Sequence, residues 1–341
     1  MPTDPSSVPD FDNLPAVEGH PQGCAWGAFD ADGKKDHYGT LNFLTPEIVA
    51  AAAKEVQDGV SISLNWPLNG IKFPFPFRKA PVHKPIALRE AGMGVDGFDD
   101  ELEINTQFSS QWDSLCHVVL SSGETYNGFK PSVELLQTTA TEDNDLPTLD
   151  HWHSPAKGCI VARGVLIDFK RYVEETTSKT YDPVDGHRIT VEEIEAVAKH
   201  QGVEFKPGDV LIVRTGFTEF LENPTPEGFA KMATMSLSGV HGTTETARWI
   251  WNKRIAAVAS DSQAFEALPP LKENGEVGGV SDLVLHKWFL NYFGLPIGEL
   301  WDLKALGEYA KKKGKYSFLL TSVPLNHPGL VASPPNAVAL F

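Results

Sequence analysis

Polar and apolar residues alternate along "NTQFSSQWDSLCHV", residues 105–118. Gln107, Ser109, Gln111, Asp113 and His117 fall to one side, and Phe108, Trp112, Cys116 and Val118 to the other. Residues two apart on a strand share a face, so the stretch predicts a strand with one polar side. A solvent-facing strand favours Lys, Glu, Thr or Arg. This face has short or neutral polar groups and one carboxylate, a pattern suited to a polar cavity; the alternative is a surface strand.

Further along, "CIVARGVLIDF", "DVLIVRTGF" and "IAAVASD" are short, β-branched and bounded by Gly, Asp or Pro, as buried strands are. "VSISLNWPL" alternates as a strand, and the prolines of "IKFPFPF" hold that segment extended. Helical spacing marks "LTPEIVAAAAKEVQDG", with Thr45 as N-cap, Pro46 in the first turn and Gly59 beyond its end. "TVEEIEAVAKHQG" runs from Thr190 to Gly202, and "GTTETARWIWNKR" precedes a strand. "VSDLVLHKWFLNYFG" takes Ser281 or Asp282 as cap and stops at Gly294 and Pro296. Five prolines make residues 1–22 an irregular arm. With no internal repeat, residues 23–341 read as one mixed α/β domain.

Composition narrows the function. Twenty-nine Lys and Arg against 45 Asp and Glu give a net charge of −16, which repels nucleic acid and anionic membranes and leaves a small molecule as the expected partner. Cys24, Cys116 and Cys159 are too few and scattered for a disulfide framework or a CxxC zinc site. The acidic, Pro-rich start lacks the pattern of a secretory signal, and no apolar run approaches the roughly 20 residues of a membrane span. A cytoplasmic protein is the expectation.

Familiar motifs are missing or misplaced. "GMGVDG" at Gly92 to Gly97 matches GxGxxG but leads into "FDDELE", whose carboxylates oppose a pyrophosphate. No phosphate-binding loop and no GxSxG elbow occurs. Cys116 and His117 are strand neighbours on opposite faces, so Cys116 reads as a small buried hydrophobe. On a strand Gln111 and Asp113 lie roughly 6.5 Å apart and can both reach one ion, whereas Asp113 and His117 lie about 13 Å apart unless the chain turns after Asp113. His286 sits on an apolar helix, as a core histidine or a ligand; Glu299, between apolar neighbours, needs an arginine or a metal as partner. Trp66, Phe73 and Phe75 are candidate walls for a flat substrate, or core plugs. His241 precedes a helix and either caps it or meets substrate.

The stretch Gln107 to His117 resembles the His-x-Gly-Thr-His-x-Asp-x-Pro-x-His signature of the cyclase-type metal-dependent hydrolases. Bacterial kynurenine formamidase, isatin hydrolase and trans-dienelactone hydrolase belong to that family. The resemblance extends from "WGAFDADGKKDHYGTLNFLTPE" through "GDVLIVRTGF" and "AAVASDSQAFEALPP" to "SFLLTSVPLNHPGLVASPPNAVALF". It implies a swivelling β/β/α domain with a mixed, partly barrel-like sheet and flanking helices, in homodimers or homotetramers. It also implies Asp113, His286 and Glu299 as metal ligands and His117 as proton donor and acceptor. Gln107 and Gln111 replace the two histidines of the signature that hold the first of two metals, leaving ligands for one ion. An oxygen-rich set of this kind leans toward manganese, with zinc as the alternative.

The resulting expectation is a hydrolase of a small cyclic or aromatic amide or lactone. His117 moves the proton, and Gln107 and Gln111 donate hydrogen bonds to the substrate carbonyl or the water. The rival is a metal-free cyclase, isomerase or binding protein of the same fold.

Overall fold

The computed structural model describes residues 3–73, 78–154, 158–178, 181–272 and 274–341. The three apolar runs form the centre of a curled nine-stranded sheet. Ile160–Asp168, Val210–Arg214 and Ala257–Ser260 lie parallel in that order, and Ile297–Glu299 continues the parallel set. Gln111–Asp113 and then Ala332–Ser333 complete one end, both antiparallel. On the other side Ser317–Ser322, Ala337–Leu340 and Ser61–Ser63 pair antiparallel.

Alternation splits the central strands between two cores. Val165, Ile167, Leu211, Val213 and Val258 face helices Val191–Gln201 and Thr244–Asn252 and the aromatic segment 285–293. Leu166, Val210, Ile212, Ala257 and Ala259 face a second cluster that includes Trp112, Trp152 and Trp301. Trp112 packs edge-on against Trp301 at 5.0 Å and Trp152 at 6.1 Å. Truncating a tryptophan buried this deeply costs about 3–5 kcal/mol.

Local signals place several helices well. Thr45 caps Pro46–Ala52 by accepting from the Ile48 amide. Thr190 and Glu193 form a reciprocal capping box, and Gly202 ends that helix at φ 66°. The helix beginning at Thr244 is capped by Thr243, so His241 does not cap it. The arm is irregular apart from short 3-10 turns, yet it is held to the domain. Val8, Phe11 and Leu14 are buried, and the Arg254 guanidinium donates to the carbonyls of Pro5 and Val8.

Two expectations about local structure change. The strand predicted across 105–118 is only Gln111–Asp113, and the chain turns immediately after it, with the His117 amide donating to the Ser114 carbonyl at 3.0 Å. The predicted helix around His286 is not capped by Ser281 or Asp282. Instead Val284–His286 is an α turn that widens into a π-helix over Lys287–Phe293, and the buried Glu266 carboxylate accepts from the Val284 and His286 amides, each at 2.9 Å. Gly294 ends this segment at φ 67°, where a β-carbon would lie 2.7 Å from the Gly39 backbone. Only glycine lets the two chains approach this closely.

"GMGVDG" occupies the exposed turn of the hairpin Val82–Ala87 and Phe98–Glu103, and a strand follows it. Cys116 is buried against Phe129 and Leu146, as a small hydrophobe. Among the described residues no helix is long and apolar enough to cross a membrane.

Candidate metal centre

Register brings the candidate ligands together from separate segments. Gln111–Asp113 runs antiparallel to Ile297–Glu299, with Asp113 opposite Ile297 and Gln111 opposite Glu299. Trp112 between them points into the tryptophan cluster. The two flanking residues therefore share the opposite face. His286 arrives from the α turn. One ligand atom each from Asp113, His286 and Glu299 lies within 4.8 Å of the others, and all three residues are buried.

Every polar contact around this trio is specific. His286 Nδ1 pairs with Glu266 Oε1 at 3.0 Å, and Nε2 with Glu299 Oε1 at 3.2 Å. Gln111 Nε2 donates to Glu299 Oε2 at 2.8 Å and also to Gln107 Oε1. Gln107 Nε2 donates to Asp113 Oδ1 and lies 3.3 Å from His117 Nδ1. Both hydrogens of the Gln111 amide are therefore engaged inside this network, and Gln107 commits one to Asp113 with its nitrogen also facing His117 Nδ1. Gln111, expected to donate to a substrate carbonyl, has its hydrogens directed to Gln107 and Glu299, and Gln107 directs one to Asp113, so the two amides brace the carboxylates.

The electrostatics are those of crowded buried acids. Burial, and then the Asp113 charge, push Glu299 up to about 7. Burial opposes charge on His286, but its bonds to Glu266 and Glu299 carry it up to about 10. Asp113 Oδ2 and Gln111 Oε1 are buried without any hydrogen-bond partner. Such atoms carry a desolvation penalty unless something electropositive meets them. Two carboxylates, one imidazole and an unpaired amide oxygen fit a single divalent cation, which would compete with protons for these atoms.

Beside the trio lies a cavity of about 610 Å³ lined by His117, His286, Glu299 and Arg78. Val119, Leu120, Met235, Leu268 and Leu283 supply apolar wall, and Gln263, Ser121 and Tyr292 polar edges. Burial holds the His117 pKa below the ordinary histidine value.

The other predicted substrate residues are elsewhere. Trp66 is packed with Ile71 and Phe108, its indole donating to Glu222, and Phe73 stacks edge-on with Phe229; neither lines this cavity. Ser109, predicted on the site face, donates to the carbonyls of Trp66 and Pro67. His241 lines a neighbouring groove with Arg248 and Trp288. Phe75 lies outside the described residues.

Sequence reasoning missed Glu266 and Arg78. For Glu266 the signal was a lone carboxylate between Phe265 and Ala267, which burial obliges to find partners. Arg78 Nη1 donates to the Gln107 carbonyl at 2.7 Å, fixing the backbone of the amide network; nothing in "PFRKAP" distinguishes it from a surface arginine.

A family model described as "Putative cyclase" matches residues 37–267. No curated protein matches the chain. A crystal structure described as a novel cyclase superposes with TM-score 0.75 and 28% identity, over 93% of this chain and 99% of its own. Isatin hydrolase A from Ralstonia solanacearum gives TM-score 0.55 at 15% identity, covering 87% and 98%. Isatin hydrolase A from Labrenzia aggregata, bound to benzyl benzoate, gives 0.53 at 15%, covering 86% and 97%. At that identity the two share the fold with this chain. The family match spans most of the sequence and contains the Gln107 to His117 stretch, and the chain belongs to the cyclase family.

Proposed function

We propose that the protein is a hydrolase of a small cyclic or aromatic amide or lactone, dependent on one divalent cation, manganese or zinc. The observation that carries this reading is the buried convergence of Asp113, His286 and Glu299 beside a cavity large enough for a substrate of one or two rings. The likeness to two isatin hydrolases supports the choice of substrate class. When bound, the ion lowers the pKa of water and polarises the scissile carbonyl.

The chain's own groups do the rest. Asp113, His286 and Glu299 would hold the ion. Glu266 orients the His286 ring through Nδ1, so that Nε2 faces the carboxylates. Gln107 and Gln111 brace the two carboxylate ligands. The apolar walls from Val119 to Leu283 exclude water around the substrate body, and His117 meets the reacting group with Nε2, the ring nitrogen that Gln107 does not engage.

The test is turnover of a panel of aryl formamides, cyclic amides and lactones by metal-free protein to which manganese or zinc is added back. Hydrolysis that appears with the ion and disappears with chelator supports the reading. Equal activity with and without chelator favours the metal-free rival, for which the direct bond between His286 and Glu299 already provides a satisfied ion pair.

A further inference from the structure

The amide network decides which proton His117 carries. The NH2 end of Gln107 faces Asp113 Oδ1, which accepts from it. The same orientation follows from the other end. Gln107 Oε1 accepts from Gln111 Nε2, and that amide is itself oriented by the Glu299 carboxylate. With its NH2 fixed, the second hydrogen of Gln107 points at His117 Nδ1, 3.3 Å away. A nitrogen that accepts cannot carry hydrogen. Protonation of Nδ1 would set two donors face to face.

We infer that Gln107 locks His117 as the tautomer protonated at Nε2, so that His117 acts as a neutral hydrogen-bond donor to the substrate oxygen and not as the proton shuttle. The inference rests on the hydrolase reading for its substrate and on the amide network for its tautomer. In the addition step the water oxygen bonds to the carbonyl carbon, and the carbonyl π pair moves onto oxygen. The Nε2 hydrogen bonds to that oxygen and stays on nitrogen. The water proton is lost to solvent through the open cavity, chemistry a divalent ion supplies at neutral pH, and the leaving nitrogen or oxygen takes its proton from solvent. A histidine in place of Gln107 could not do this with both of its neighbours, because a neutral imidazole has one N–H to donate and Gln107 donates two.

Nitrogen NMR of protein labelled with ¹⁵N-histidine, metal-free and zinc-loaded, reads the tautomer directly, with His117 assigned by its loss in H117Q. The expected result at neutral pH is a pyridine-type Nδ1 and a pyrrole-type Nε2, and a switch to pyrrole-type Nδ1 in Gln107→Glu, which places an acceptor there. A pyrrole-type Nδ1 in the wild type overturns the assignment. Kinetics on any substrate the panel identifies test the role. His117→Gln keeps a donor and should retain at least about tenfold more activity than His117→Ala, which should lose on the order of 10²–10³-fold. Equal loss in both variants, with circular dichroism unchanged, overturns the donor role. The spectra need no turnover, so a failed substrate panel with the expected tautomer rejects the hydrolase reading and leaves this assignment standing.

Discussion

At the scale of single residues, His117 is placed by contacts that cost the fold little to lose. It is partly exposed to the cavity, and its ring makes one amide bond. His117→Ala should therefore shift the melting temperature by less than about 4 °C while lowering turnover on the order of 10²–10³-fold. Unfolding by more than that with activity retained would mark it as a packing residue. The pH sign follows from burial, which lowers its pKa from the usual 6.5. The neutral ring persists as pH falls below that value, and the charged ring, once formed, breaks the Gln107 bond and repels a cation. The His117 ring ¹⁵N signals should titrate with a midpoint below pH 6.5; a midpoint above 6.5 contradicts the assignment. Sequence could nominate His117 and Asp113 because alternation put both on one polar face. It could not show that both reach the Gln107 amide, since that depends on a turn at Ser114 that "SLCH" permits but does not require.

At the scale of elements, cap chemistry was legible wherever it was local. Thr45, Thr190, Glu193 and Gly202 each act within four residues of their own position, so the chain states them directly. The helix bearing His286 escaped this logic because its cap, Glu266, comes from 18 to 20 residues upstream. Strand length was likewise overread. Gln107 and Ser109 keep the polar alternation, but their bonds go to Asp113 and to the Trp66 segment, and the ladder contains only Gln111 to Asp113. Trp66 and Phe73 lie where apolar residues ordinarily lie, in a core, and no pattern in a Pro-rich segment separates core from cavity. Glu266 now joins two levels of structure: it starts the turn and orients the His286 ring. Glu266→Gln puts an N–H against one of three donors and should cost about 1–3 kcal/mol of stability. It should also weaken metal binding about 10–100-fold by titration calorimetry well below the melting point. An unchanged dissociation constant would reduce Glu266 to a cap.

At the scale of the whole molecule, the mixed α/β sheet followed from three apolar runs and the helices between them, and the observed core is built on those runs. The order of the remaining strands was not readable, since pairing of Gln111–Asp113 with Ile297–Glu299 joins segments almost 200 residues apart. The hairpin Val82–Ala87 and Phe98–Glu103 stands off the domain, with Phe98 81% exposed and Val82 and Leu102 about half exposed. Val82, Phe98 and Leu102 are the large apolar side chains left open to water on this otherwise charged ribbon, and a partner would cover them. With the dimers or tetramers that the sequence resemblance implies, we expect a second copy of the chain to cover it. Light scattering should give a mass above 37.3 kDa for the wild type and a smaller assembly for Phe98→Asp with Leu102→Asp. A monomeric wild type would remove the hairpin from any interface.

In the proposed centre, residues from one short strand, one helical turn and a second strand close on a single cation. Elemental analysis of protein reconstituted with manganese or zinc and then desalted measures it most directly. One ion per chain is expected, falling to near zero in Glu299→Gln while the variant stays folded. No bound ion in the wild type, or the same ion content in the variant, would contradict it.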